Sequence, residues 1–113
     1  MNVTRRDDAV PYLPPGHADV DARRLQGLEA GGPTDFWVAR STLDPGAVVA
    51  TGPVGGDTVY VVLEGTLEVV LDDDPATSVA LLPGDSAFLA RGQHRSLRAT
   101  GDAPTVAHVI VTS

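Results

Sequence analysis

The feature that most constrains this chain is its punctuation. From residue 36 onward, short apolar runs are cut at near-regular intervals by turn chemistry. The breaks fall at Asp44-Pro45-Gly46, Gly52-Pro53, Gly55-Gly56, Glu64-Gly65, Asp72 to Pro75, Pro83-Gly84-Asp85, Arg91-Gly92 and Gly101-Asp102. The runs between them (FWVARSTL, TVYVVLEG, TLEVVL, SVALL, SAFLA, HRSLRA and TVAHVIV) read as strands. Strands at this spacing, with no helical stretch between them, predict an antiparallel sandwich or barrel rather than βαβ units. Leu67, Val69 and Leu71 alternate with Glu68 and Val70, so that strand buries one face. VYVVL is apolar on both faces and needs cover on both, from an opposing sheet and from a partner subunit.

The first 35 residues are different in kind. Pro11, Pro14, Pro15 and Gly16 make the first sixteen residues an extended arm. Residues 18 to 28 fit either a short helix capped by Asp19 or a strand in which Val20, Ala22 and Arg24 alternate. Gly27 and Gly31-Gly32-Pro33 leave little room for a helix, which favours the strand. The chain therefore divides into an N-terminal arm, 1–35, packing on the barrel or a partner subunit, and a β-barrel domain, 36–113.

At 113 residues there is room for one domain and one core. A net charge of -7 argues against nucleic acid or an anionic membrane as a partner. There is no cysteine, so thiolate chemistry is excluded. All eight basic residues are arginine, which removes lysine nucleophiles and Schiff bases. No apolar window is long enough for a membrane span, and the polar start (MNVTRRDDAV) lacks the apolar stretch of a signal peptide. A cytoplasmic protein is expected. The absence of lysine, with abundant Ala, Gly, Asp and Val, points to a GC-rich bacterial genome.

Two stretches carry a family resemblance. Residues 57 to 71 (DTVYVVLEGTLEVVL) and 82 to 102 (LPGDSAFLARGQHRSLRATGD) resemble the two conserved motifs of the cupins, and Asp44-Pro45-Gly46 matches the Pro-Gly turn that precedes them. The resemblance spans roughly residues 36 to 111. It implies an all-β fold, the cupin jelly-roll antiparallel β-barrel, and a homodimer. Physical reasons for the pieces are visible without it. Gly65 and Gly84 sit where hairpins require positive φ, and Asp85 can accept backbone N–H bonds that tie its turn.

The resemblance also implies a metal site of three histidines and a glutamate, a donor set suited to transition metals. Counting from Gly65, the paired histidines fall on Gly52 and Val54 and the glutamate on Thr58. Counting from Gly92 and Gly101, the third histidine falls on Arg95. No ligand is in place, and a guanidinium has no lone pair to offer. No metal and no other cofactor is therefore expected. One route back exists: a one-residue slip would turn His94 inward in place of Arg95, with His108 and His17 as further candidates.

In the unslipped register Thr58, Tyr60 and Val62 point into the barrel, as do Gln93, Arg95, Leu97 and Ala99. Arg95 then needs a partner: a ligand carboxylate or phosphate, or an internal acid such as Asp57 or Glu68. Tyr60 and His94 are the acid–base candidates. Arg95, Gln93, Thr58, Trp37 and His108 are the candidates for binding substrate, with Trp37 beside Phe36 as a stacking wall. The first functional reading is a metal-independent cupin acting on a small anionic organic molecule by positioning and proton transfer, as an isomerase, cyclase, dehydratase or epimerase. The second is a non-catalytic binding or assembly module, and the third a metal cupin with atypical ligands. A catalytic site should show an open, mostly apolar cavity in which Arg95 and Tyr60 converge.

Overall fold

The structure is a computed structural model and describes all 113 residues. Ten strands carry the chain: β1 (Val10–Tyr12), β2 (Val20–Gln26), β3 (Phe36–Leu43), β4 (Val48–Pro53), β5 (Thr58–Glu64), β6 (Thr66–Leu71), β7 (Val79–Leu81), β8 (Ser86–Leu89), β9 (His94–Thr100) and β10 (Thr105–Thr112). The only helices are single 3-10 turns at Arg6–Asp8, Leu28–Ala30 and Pro75–Thr77, and no helix is long and apolar enough to cross a membrane.

The strands form two antiparallel sheets. The larger has the order β1-β2-β3-β10-β5-β8 and the smaller β4-β9-β6-β7. From β3 onward the chain passes from one sheet to the other at almost every connection, which is the jelly-roll path. The sheets face each other across the core without a ladder that closes them.

This path changes the meaning of two turns. β5 and β6 belong to different sheets, as do β7 and β8, so Gly65 and Gly84 turn corners between sheets rather than closing hairpins. Both still have positive φ, +75° and +91°. Asp85 does tie its corner: its carboxylate accepts from the Leu82 N–H at 2.9 Å. Residues 72 to 78 make the one true hairpin of the smaller sheet, between β6 and β7.

Period-two alternation places the core between the sheets. Thr58, Tyr60 and Val62 of β5 are buried inward, opposite Leu67 and Val69 of β6 and Leu97 and Ala99 of β9. Val49, Leu43, Leu81 and Leu89 complete the cluster. The outward side of β5 carries Val59 and Val61, both half-buried.

The first 35 residues supply β1 and β2 to the same sheet as β3, with Arg24 opposite Ala39 and Ala22 opposite Ser41. Residues 20 to 26 take the extended conformation that the alternation of Val20, Ala22 and Arg24 favours. Between β1 and β2 the segment Pro14-Pro15-Gly16-His17 leaves the large sheet and reaches the small one. Ala50 N–H donates to Gly16 O at 3.0 Å, and His17 bridges Val49. This strap crosses the space between the sheets at one side.

Candidate functional site

One large cavity, about 760 Å3, lies between the sheets beneath that strap. Its walls are mostly apolar, including Leu43, Val49, Leu67, Leu97, Val109 and Val111. Into this apolar space project Tyr60, Arg95, Thr58, His17, Tyr12 and Trp37. No aspartate or glutamate lines it.

Gly52, Val54, Thr58 and Arg95, the four positions the resemblance assigns to metal ligands, all line the cavity. Gly52 and Arg95 are direct cross-strand partners on β4 and β9. The register is therefore the unslipped one, and the side chains at the ligand positions do not fit a transition metal: they offer no imidazole and no carboxylate. Nowhere in the chain do three His, Asp or Glu side chains gather as a metal-binding group.

Arg95 takes up this space. Its Nε donates to the Tyr60 hydroxyl oxygen at 2.9 Å, and its Nη1 lies 3.4 Å from Gly52 O. Neither acid considered as an internal partner reaches it. Glu68 pairs with Arg98 at 3.5 Å, and Asp57 accepts from the Arg91 backbone N–H at 2.9 Å. Arg95 thus faces a largely apolar cavity with no counter-ion. Because the phenol oxygen accepts from Arg95, the Tyr60 O–H hydrogen is left to point elsewhere. Tyr60 is 3% exposed, so that proton is available to a molecule in the cavity rather than to bulk water.

Three sequence candidates lie outside the cavity. His94 pairs with Pro53 while Arg95 pairs with Gly52, so alternation sends Arg95 inward and leaves His94 exposed. Gln93, expected inside, is exposed at the turn before β9, where its Oε1 accepts from Ala90 N–H at 2.7 Å. His108 faces the opposite side of the large sheet, across from Arg40 and Val61, because Ala107, Val109 and Val111 take the cavity face of β10. Thr58 and Trp37 do line the cavity; the Thr58 hydroxyl is spent on Gly56 O at 2.8 Å.

The histidine in the cavity is His17. Its Nδ1 lies 2.8 Å from Pro15 O, which fixes the tautomer with a proton on Nδ1 and leaves the Nε2 lone pair free. Burial lowers its pKa below the ordinary 6.5; the bond to Pro15 opposes this, and the charge of Arg95 adds to it. The residue is therefore a neutral imidazole at pH 7. The sequence signal for it was local: a Pro-Pro-Gly stretch just before a histidine is a rigid strap, but its destination depends on long-range pairing with β4.

The sign of the resulting pH dependence follows directly. A histidine with a depressed folded-state pKa disfavours the fold as pH falls below 6.5, and its free base is present above the depressed value. Any rate that needs this base should therefore rise with pH along a limb centred below 6.5 and level off by neutrality. His17→Gln should remove the limb. His108→Gln, whose imidazole is also depressed by burial but lies on the outer face, should leave it in place. Initial rates between pH 4.5 and 8 would decide it; an unchanged limb in His17→Gln rejects the assignment.

A two-sheet jelly roll with its chemistry gathered between the sheets defines the class of protein. Residues 39–111 match the cupin domain family, and the chain belongs to it. The β-D-galactosidase Rv1717 of Mycobacterium tuberculosis is 41% identical over 115 residues, covering 97% of this chain and 97% of that protein. Among solved structures, the polyketide cyclase RemF from Streptomyces resistomycificus superposes with a TM-score of 0.82 at 20% identity, over 99% of this chain and 79% of its own. A cupin-superfamily sugar phosphate isomerase from Silicibacter pomeroyi gives a TM-score of 0.70 at 28% identity, over 84% of this chain and 60% of its own.

Proposed function

We propose that this chain is a cupin enzyme that acts on a small carbohydrate-like molecule by proton transfer, without a metal at the family's ligand positions. The observation that carries the reading is the Arg95–Tyr60 pair, set in an apolar cavity where other cupins place metal ligands. Tyr60 donates its proton to a leaving or carbonyl oxygen. Arg95 stabilises the charge that develops on the phenol oxygen, and its remaining N–H groups hold an anionic group of the substrate. His17 Nε2, in the same cavity, is the group that accepts a proton. The substrate class comes from the relative named a β-D-galactosidase, which matches from end to end.

Glycoside hydrolysis usually rests on two carboxylates flanking the scissile bond, about 5 to 10 Å apart. The cavity lining has none, so on a galactoside the phenol protonates the leaving oxygen and the imidazole takes a proton from the water that bonds to the anomeric carbon. The half-buried apolar outer face of the large sheet, with Val59, Val61 and Ile110 and with Phe88 64% exposed, suits a homodimer. A non-catalytic binding module is the second reading, favoured by replacement of all four ligand positions at once.

The test is hydrolysis of nitrophenyl β-D-galactoside by untagged protein dialysed against chelator. Turnover should survive chelation and fall about 100-fold or more in Tyr60→Phe. Activity lost to chelator and restored by a divalent metal would overturn the metal-free mechanism. Binding of galactosides without turnover would favour the second reading.

A further inference from the structure

The register of the large sheet lays out the floor of the cavity. Thr58, Val111 and Trp37 are consecutive cross-strand neighbours on β5, β10 and β3, and Tyr60, Val109 and Ala39 form the next row on the same face. Strands lie about 4.8 Å apart, so Trp37 stands roughly 10 Å from the β5 side chains, on the far side of β10. The strip between them is Ala107, Val109 and Val111, which carries no polar side chain. At its far end Trp37 meets Tyr12 edge to face at 6.2 Å, and both rings line the cavity.

This aromatic corner is held rigidly. The Arg24 guanidinium packs on both rings, with Cζ 3.8 Å from the Tyr12 centroid and 4.2 Å from that of Trp37. Glu29 Oε1 accepts from Arg24 Nε at 3.0 Å. Neither Arg24 nor Glu29 lines the cavity, so this pair supports the rings from outside it and touches no ligand. Gly27 packs so close to Trp37 that an added Cβ would lie 2.7 Å from the Trp37 Cβ. Rings fixed before a ligand arrives lose little freedom on binding it.

The mechanism above uses Tyr60, Arg95 and His17 and leaves this corner without a role. A cavity of about 760 Å3 is in the range, roughly 300–1,000 Å3, that encloses a drug-sized molecule. A single sugar ring at Tyr60 and Arg95 therefore leaves the β10 floor and the aromatic corner to the rest of the substrate. A second sugar would bring hydroxyls against Val109 and Val111, where they would lose water without gaining a partner. A planar apolar ring buries area on that floor instead, and meets Trp37 and Tyr12 in the stacked or edge-to-face contacts that aromatic rings favour.

We infer that Trp37 and Tyr12 form a second subsite, which takes a planar apolar group joined to the sugar held at Tyr60 and Arg95. This deepens the reading above and rests on it for the sugar: the substrate becomes an aryl glycoside rather than a free sugar or a chain of sugars.

The experiment compares phenyl and methyl 1-thio-β-D-galactoside, whose glycosidic sulfur keeps turnover out of the measurement, with benzyl alcohol as a probe that carries no sugar. Trp37 is the one tryptophan of the chain, so its fluorescence reports on this corner. By calorimetry the phenyl compound should bind about tenfold tighter than the methyl compound, or better. It should also shift the Trp37 emission, as should benzyl alcohol, while the methyl compound leaves it in place. Trp37→Ala should bring the ratio of the two affinities towards one. Equal affinities in the wild-type protein, tighter binding of the phenyl compound with no change in Trp37 emission, or an unchanged ratio in Trp37→Ala would each overturn the inference. If neither galactoside binds but benzyl alcohol still shifts the emission, the carbohydrate reading fails and the aromatic subsite stands. If no probe shifts it, the subsite falls. Should Trp37→Ala fail to fold, the affinities and emission of the wild-type protein decide alone.

Discussion

Arg95→Gln should lose about 100-fold or more in turnover and yet melt no lower than the wild-type protein. The two halves of this expectation have separate causes. Arg95 Nε is the donor that holds the Tyr60 oxygen. Removing one preorganised donor of this kind costs on the order of 10²–10³ in rate. Stability should move the other way, because Arg95 has no carboxylate partner and faces apolar side chains. Burying a charge without a counter-ion costs free energy, and a neutral side chain of similar length relieves that cost. Its only other side-chain hydrogen bond, to Gly52 O at 3.4 Å, is long. Turnover and a thermal melt on the same preparation settle it: a variant that melts well below wild type would show Arg95 to be structural, and one that retains full activity would remove it from the mechanism.

The expectation was reachable from sequence because Arg95 is fixed by counting. Gly65, Gly92 and Gly101 are local markers, and strand alternation has a period of two, so inward and outward positions follow once the corners are known. The same logic located Tyr60 and Thr58. It failed for His108 because both faces of β10 are apolar: Val106 and Ile110 alternate with Ala107, Val109 and Val111, and periodicity alone does not choose between them. It failed for Gln93 because the turn before β9 uses the side-chain amide to satisfy Ala90 N–H, a local bond that outweighs the alternation. His17 was legible only as a candidate, for another reason. Its place in the cavity comes from pairing between segments distant in the chain, the strap with β4, and no short window records such a pairing. Gly65 and Gly84 were read correctly as positions needing positive φ. Which strands they join is a matter of topology, and a glycine marks a turn in the same way whether it closes a hairpin or a corner.

Gly65 itself is a site where substitution should cost a large part of the stability. Gly65→Ala should lower the melting temperature by about 10–20 °C, whereas Gly46→Ala should lower it by roughly half as much. Both glycines have similar positive φ, +75° and +80°, so both substitutions place a side chain in the left-handed region at about 1–2 kcal/mol. They differ in what the new methyl group meets. At Gly46 nothing lies within 4 Å of the added Cβ. At Gly65 it would lie 2.6 Å from Thr105 Oγ1, 2.7 Å from Pro104 O and 2.8 Å from Thr105 Cα. Two of those atoms are backbone and cannot swing away. Thr105 is also fully buried and clamps the corner, its hydroxyl donating to Thr66 O at 3.0 Å and accepting from Thr66 N–H at 3.2 Å. Relieving the overlap therefore means moving β10 or breaking that clamp, and overpacking of this kind adds about 1–3 kcal/mol. A total near 3 kcal/mol, at about 4–8 °C per kcal/mol for a domain of this size, gives the stated shift. The comparison with Gly46→Ala matters more than either number, since it subtracts the backbone strain and leaves the contact. Equal shifts in the two variants would mean that β10 yields easily at this corner. Because β5 runs directly into Gly65, such a yielding corner would also leave Tyr60 free to drift from Arg95, and the pairing on which the proposed chemistry depends would lose its support.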